Sequence, residues 1–379
     1  MKALFYIGII GLLLFEVANV YFIMPMPGSQ RMTSIDLAYF LYSWRWAFRT
    51  VFGLLLFIGL FSAFRGSKWL ALAALLLVAI VSYAFNFRMS ADHMFYQPGN
   101  LQLKPAEKSV VKPDREVLGV VLNGQAKAYP IQYIGYHHQV LDTIGGQPVM
   151  VTYCTVCRTG RVFQRIVNGK PETFRLVGMD HFNAMFEDAT TGSWWRQANG
   201  ESIAGQLKGD TLPEVFSEQM TLKKWLILHP NSLIMQPDTT YNERYVKMAN
   251  YERGKGGSEL TQTDSLSWRD KSWVVGLTIG DQTKAYDWNR LKRERLIHDT
   301  FASRPILLVL ADDNRSFFAY QRPTSTTRFS LQHDTLVSNN QAYVLTGKAI
   351  GQEADLTRIP AHQEFWHSWR TFHPGTVRY

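Results

Sequence analysis

The chain has 379 residues, of which 46% are hydrophobic and 13% aromatic, and a net charge of +9. That length and apolar content support two or three packed domains. The positive excess is scattered, with no Lys/Arg block interleaved with aromatics. This argues against a nucleic-acid surface and suits a chain lying against an anionic membrane.

Three apolar stretches open the chain: Ala3 to Met24, Trp46 to Phe64 and Trp69 to Phe87. Each is close to the roughly 20 residues that cross a bilayer core as a helix. The first is interrupted only by Glu16 and Asn19, and Glu16 reads as an interhelix hydrogen-bonding group. No small-residue cleavage site follows it, which separates it from a signal peptide. Loop charge does not orient the helices: Lys2, Arg65 and Lys68 favour one topology, Arg31, Arg45 and Arg49 the other. Beside the third stretch, "MSADHMF" offers Met89, His93 and Met94, which suit either copper or an interfacial anchor.

The remainder contains itself twice. Residues 117–165 and 274–322 align without a gap, and twelve of the 49 positions are identical. The shared residues include Gly119, Lys127, Ala128, Tyr129, Asp142, Thr143 and Pro148. The ends correspond as well, "KKWLILHPNSLIM" at 223–235 with "HSWRTFHPGTVRY" at 367–379. Features common to both copies, His229 and His373 among them, read as scaffold; features of one copy alone are candidates for function. Cys154 and Cys157 become Ala311 and Asn314, and His137 and His138 become Glu294 and Arg295.

Within the first copy, Asn123-Gly124 supplies the positive φ angles of a type I′ hairpin turn. Pro130 to Tyr136 reads as a helical turn, and His138 to Thr143 with Pro148 to Tyr153 as a second hairpin. Arg161 to Val167 is expected to pair with Thr173 to Val177 across Asn168-Gly169. Thr221 to Leu228 reads as an amphipathic helix, and residues 240–270 as a polar linker. The expected architecture is membrane-anchored α+β, mainly β. Three N-terminal transmembrane helices (1–90) precede two tandem β-rich repeats (91–238 and 272–379), joined by a linker (239–271). Short strands at this spacing suggest small mixed or open β-barrels.

"VTYCTVCRTGRVF" holds the only two cysteines, on a turn between two strand-like runs. Two thiolates on such a turn can hold zinc or copper. A thioredoxin-type pair begins a helix, and the β-rich "RTGRVFQR" that follows does not continue as one. A c-type haem needs His after the second cysteine, where Arg158 stands. A structural metal site here needs histidine or carboxylate ligands besides, or else the site is deliberately open. His137, His138 and His181 are the candidates, with only one of the adjacent His137 and His138 reaching the metal from an extended segment. The rival readings are a thiol–disulfide oxidoreductase or redox sensor at the membrane surface, and a non-enzymatic subunit of a membrane assembly. No nucleotide loop, nucleophile elbow or zinc-protease helix is present, and no small-molecule substrate is named by the sequence.

The run "GVVLNGQAKAYPIQYIGYHHQVLDTIGGQPVMVTYCTVCRTGRVF", with "TGSWWRQANGESIAGQLKGDTL" and "WLILHPNSLIM", resembles the bacterial domain of unknown function 3179 over residues 115–235. Its motifs match Ala128-Tyr129-Pro130, His137-His138, Asp142, Tyr153 through Arg158, and Ser193, Trp195, Gln197, Gly200 and Gly205. Thr155 stands where the family has proline, Arg158 where it has glycine, and His138 where it has glutamate. The resemblance implies an exported domain, hence a bacterial inner-membrane protein with its soluble part on the periplasmic side. The second repeat then reads as a degenerate partner that covers the first or recruits another protein.

Overall fold

A computed structural model describes residues 1–379. The contacts divide the chain into two compact units: Met1–Tyr96 with Glu172–Thr211, and Gln97–Pro171 with Leu212–Tyr379.

The first unit contains helices α1 (Lys2–Tyr21), α2 (Ile35–Ser43), α3 (Arg45–Gly66) and α4 (Lys68–Tyr83), the last continuing as a π turn to Arg88. Three helical spans, Lys2–Tyr21, Arg45–Gly66 and Lys68–Arg88, are long and apolar enough to cross a membrane. Glycines let α1 and α3 approach closely: a Cβ on Gly59 would sit 2.3 Å from the Phe5 backbone nitrogen. Glu16 is the acceptor of a two-pronged ion pair from Arg49, at 2.8 and 2.9 Å, and also accepts from Asn86 Nδ2 at 2.8 Å. Buried carboxylate and guanidinium thus neutralise one another, a stronger arrangement than the lone hydrogen bond expected for Glu16.

Residues 172–211 of this unit form a four-stranded antiparallel sheet of Phe174–Asp180, Asn183–Asp188, Trp194–Arg196 and Ser202–Ala204. Met179 N–H donates to the Ile23 carbonyl at 2.7 Å, and Tyr39 meets Trp194 edge-on at 5.0 Å. The expected pairing of Arg161–Val167 with Thr173–Val177 does not form. Only Ile166–Val167 and Lys170–Pro171 pair across Asn168-Gly169, and Phe174–Asp180 belongs to the four-stranded sheet.

The second unit is a set of small sheets, none closed into a barrel. Its first segment runs β1 (Glu116–Leu122), β2 (Gln125–Pro130), α5 (Ile131–His137), β3 (Gln139–Ile144), β4 (Gln147–Cys154) and β5 (Thr159–Gln164), then β6 (Ser217–Thr221), α6 (Leu222–Leu228) and β7 (Leu233–Met235). Asn123 and Gly124 have φ of 47° and 77°, so the β1–β2 hairpin turns where a type I′ turn was expected. Its second segment runs β8 (Trp273–Ile279), β9 (Gln282–Asp287), α7 (Trp288–Glu294), β10 (Leu296–Phe301), β11 (Arg304–Leu310), β12 (Phe317–Gln321), β13 (Ala361–Phe365), α8 (Trp366–Phe372) and β14 (Val377–Arg378). In both segments the central hairpin takes an antiparallel strand on one edge (β6 on β1, β13 on β8). The other edge takes a parallel one (β7 on β2, β14 on β9).

The residues common to both segments have the same packing roles. A Cβ on Gly119 would meet the Trp225 ring at 2.2 Å, and one on Gly276 would meet Trp369 at 2.1 Å. His229 packs on Trp225 (4.2 Å between centroids) and His373 on Trp369 (3.8 Å). Tyr129 and Lys127 both donate to Asp142, as Tyr286 and Lys284 do to Asp299. Residues 239–271 are more ordered than a polar linker: Tyr245, Tyr251 and Glu252 are buried, and Asn242–Lys247 is helical.

Candidate functional site at the cysteine turn

Cys154 is the last residue of β4 and pairs across the ladder with Thr159, the first residue of β5. The C-x-x-C is therefore a hairpin turn, as the sequence implied. Arg158 closes it with φ of 55°, a left-handed conformation that favours glycine. Both cysteines are fully buried and neither is in a disulfide.

The turn's carbonyl groups are satisfied from far along the chain. Tyr251 donates its hydroxyl to Thr155 O at 2.8 Å, and the backbone N–H of Phe365 donates to Cys157 O at 2.8 Å. Val156 O accepts from Lys271 Nζ at 2.7 Å and lies 3.0 Å from His367 Nε2. Lys271 also donates to Leu260 O at 2.6 Å, and its ammonium lies over the Phe365 ring at 4.7 Å. Burial lowers the Lys271 pKa, while negative charge on Cys157, Cys154 and Asp270 opposes that. Burial, reinforced by the Lys271 charge, pushes His367 down to about 4. An imidazole that is unprotonated at neutral pH and the Lys271 amine thus flank the turn.

Arg158 extends this network. Fully buried, it pairs with Glu116 at 3.4 Å, donates to Gln363 Oε1 at 2.8 Å and Glu252 O at 3.1 Å, and stacks 3.6 Å from the Trp273 ring centroid. Arg161, two strand positions beyond Thr159, donates to Glu364 at 2.7 Å and Glu214 at 3.2 Å. These charge-assisted bonds fix the turn against β13 and the segment before β8.

The expected histidines have other surroundings. His137 is the last residue of α5, and its Nε2 lies 2.6 Å from the Tyr245 hydroxyl. His138 caps that helix with φ of 62°, so the pair is not on an extended strand. The His138 Nδ1 lies 3.1 Å from Tyr136 O, its carbonyl accepts from Tyr153 N–H at 3.0 Å, and burial lowers its pKa to about 4. His181 belongs to the other compact unit, where it pairs with Asp180 at 2.6 Å; that bond raises its pKa. No group of three or more His, Cys, Asp or Glu side chains is gathered for a metal ion. Of the five expected site residues, the two cysteines share one turn.

The residues sequence reasoning passed over are Lys271, His367 and Tyr251. His367 stands opposite Lys223 when the segment ends are aligned. The comparison that singled out the cysteines therefore also carried a signal for it. Lys271 and Tyr251 fell within the supposed linker and gave no such signal.

The family model for a protein of unknown function (DUF3179) matches residues 99–376. The chain belongs to this family. The DUF3179 match spans both segments and the stretch between them, well beyond residues 115–235, where the motifs were recognised. It starts after the apolar helices. No curated protein and no solved structure matches the chain. Several DUF3179 motif residues hydrogen-bond to one another or to neighbouring side chains. Trp195 Nε1 donates to Asp188 at 2.9 Å, the Ser193 N–H donates to the same carboxylate at 3.1 Å, and Asn183 Nδ2 donates to Gln197 at 2.9 Å.

Proposed function

We propose that this is a membrane-anchored bacterial protein that holds one Cu(I) ion between the thiolates of Cys154 and Cys157. One observation carries the reading: two buried sulfurs share a turn braced by the Lys271 ammonium, with no third His, Cys, Asp or Glu ligand gathered there. A structural zinc site takes four protein ligands. Copper(I) is soft, prefers thiolates and is stable with two of them. A bis-thiolate Cu(I) centre carries one net negative charge, which Lys271 would offset without coordinating. Exclusion of water from the sulfurs suits an ion that oxidises readily when solvated. The ion would be cargo for metal handling or the centre of a metal-dependent reaction.

Thiol–disulfide exchange is the second reading, favoured by the same proximity of the cysteines to a cation, which lowers a thiol's pKa. It is the weaker of the two because exchange requires a partner thiolate to reach a sulfur, and both are buried.

Three crossings would put Met1 and the chain after α4 on opposite faces of the membrane. Lys2, Arg65 and Lys68 lie at the α1 start, α3 end and α4 start, with Gly66 beside the Lys2 ammonium. At the other end Arg49 is neutralised by Glu16, and Arg45 lies 3.9 Å over Tyr42. Arg31 and Arg88 remain at that end, so charge alone does not orient the helices, and the periplasmic placement of the copper site rests on the exported character that the family resemblance implies. The second segment, read as a degenerate copy, supplies β13 and α8 as a lid for the turn and offers a surface for a protein partner.

The test is metal analysis of the purified chain after loading with Cu(I), beside the Cys154→Ser/Cys157→Ser variant. One copper per wild-type chain and none in the variant supports the proposal; equal, negligible copper in both removes it.

A further inference from the structure

The first unit contains a cavity of about 250 Å³ at the end of the helices opposite Lys2. Its polar lining includes Asn19 from α1, Arg45 and Arg49 from α3, Asn86 and His93 after α4, and Arg175 from the sheet. None of these belongs to the cysteine site. We propose that this cavity binds the phosphoethanolamine headgroup of a membrane phospholipid.

The charge balance favours a zwitterion. Arg49 is paired with Glu16, and Arg175 with both Glu187 (2.8 Å) and Asp92 (3.2 Å). Arg45 has no carboxylate partner; its Nη1 donates to Tyr42 O at 2.6 Å, which leaves the other guanidinium nitrogens to meet a phosphate. Asn19 is buried, and its Oδ1 is an acceptor with no hydrogen-bond partner. A buried acceptor left unsatisfied is costly, and an ammonium group would fill it. Asp92 also lines the cavity, and because Arg175 is held by Glu187 as well, the three together carry a surplus negative charge for that ammonium. A guanidinium for phosphate and an amide oxygen with a carboxylate for ammonium match both ends of phosphoethanolamine. A trimethylammonium group has no N–H to give Asn19, and a glycerol headgroup has no positive charge. Arg45 begins a helix of membrane-spanning length, the level at which lipid phosphates lie.

This inference rests on the reading of the helices as membrane spans and is independent of copper. The full chain, reconstituted in nanodiscs of mixed ethanolamine, choline and glycerol phospholipids, is released into mild detergent and its retained lipid identified by native mass spectrometry. The expected result is selective retention of one ethanolamine lipid. Retention should fall about tenfold in Arg45→Gln and in Asn19→Leu, as for loss of one strong hydrogen bond. It should be unchanged in Arg65→Gln, which removes the same charge at the other end of α3. Displacement by soluble glycerophosphoethanolamine alone would support the headgroup chemistry and make the soluble compound the ligand. Equal retention of the three lipid classes, or an equal loss in Arg65→Gln, would overturn the proposal. Failure to enter nanodiscs at all would instead overturn the membrane reading.

Discussion

Lys271 Nζ lies 2.7 Å from the carbonyl oxygen of Val156, the third residue of the C-x-x-C turn. This contact joins the segment before β8 to the one structure that holds both cysteines. Lys271→Gln should keep a donor for the carbonyl while removing the charge. Cu(I) affinity, measured by competition with a chromogenic chelator, should weaken by at least about tenfold, since opposite charges near a protein surface interact by up to a few kcal/mol. Lys271→Arg should retain most of it. Equal affinities in wild type and Lys271→Gln would show that the ammonium does not serve the site.

The burial of both sulfurs predicts slow alkylation. In the native chain, iodoacetamide should modify Cys154 and Cys157 only at the rate of unfolding or local opening, and fully in denaturant. Fast modification of the folded chain, followed by mass spectrometry, would favour the exchange reading instead.

Arg158 predicts a stability defect. Arg158→Gly relieves the positive φ but leaves Glu116 buried without its cation, so thermal unfolding should report a loss of about 3–5 kcal/mol, as for other broken buried pairs. The double variant Arg158→Gly/Glu116→Gln should recover much of it. A single variant as stable as wild type would mean that the pair contributes nothing.

Much of the scaffold was legible in the sequence. The apolar runs gave the long helices, Asn123-Gly124 gave its hairpin, and the residues common to both segments are those packed as Gly119–Trp225 and Lys127–Asp142. The cysteine turn was legible because residue types on a local hairpin announce themselves. Its surroundings were not: His367 meets Val156 across 211 positions, and no local pattern encodes such a contact. Residues 240–270 looked solvated because Tyr245, Tyr251 and Glu252 carry polar groups. Their burial depends on partners such as His137 and Thr155, which only the fold supplies.

Glu252 gives a pH prediction. Burial first, then the neighbouring Glu116 carboxylate, raise its pKa to about 7. The folded chain then binds more protons than the unfolded one between the ordinary glutamate range and about pH 7, so stability falls as pH rises through that window. Glu116, raised mainly by burial, acts in the same direction. Buried His138 and His367, held low in the folded chain, act the other way below about pH 6.5. The Glu252 contribution is therefore read as the difference between wild type and Glu252→Gln, whose denaturation midpoints should diverge in the variant's favour from about pH 5 to 7.5. Midpoints that stay parallel would assign the effect to other groups.

X-ray absorption at the copper edge, on the full chain loaded anaerobically with one equivalent of Cu(I), tests the central claim most directly. A Cu(I) edge and a first shell of two sulfurs, lost in Cys154→Ser/Cys157→Ser, are the expected result. A shell of nitrogen and oxygen, or copper retained equally by the variant, would contradict it.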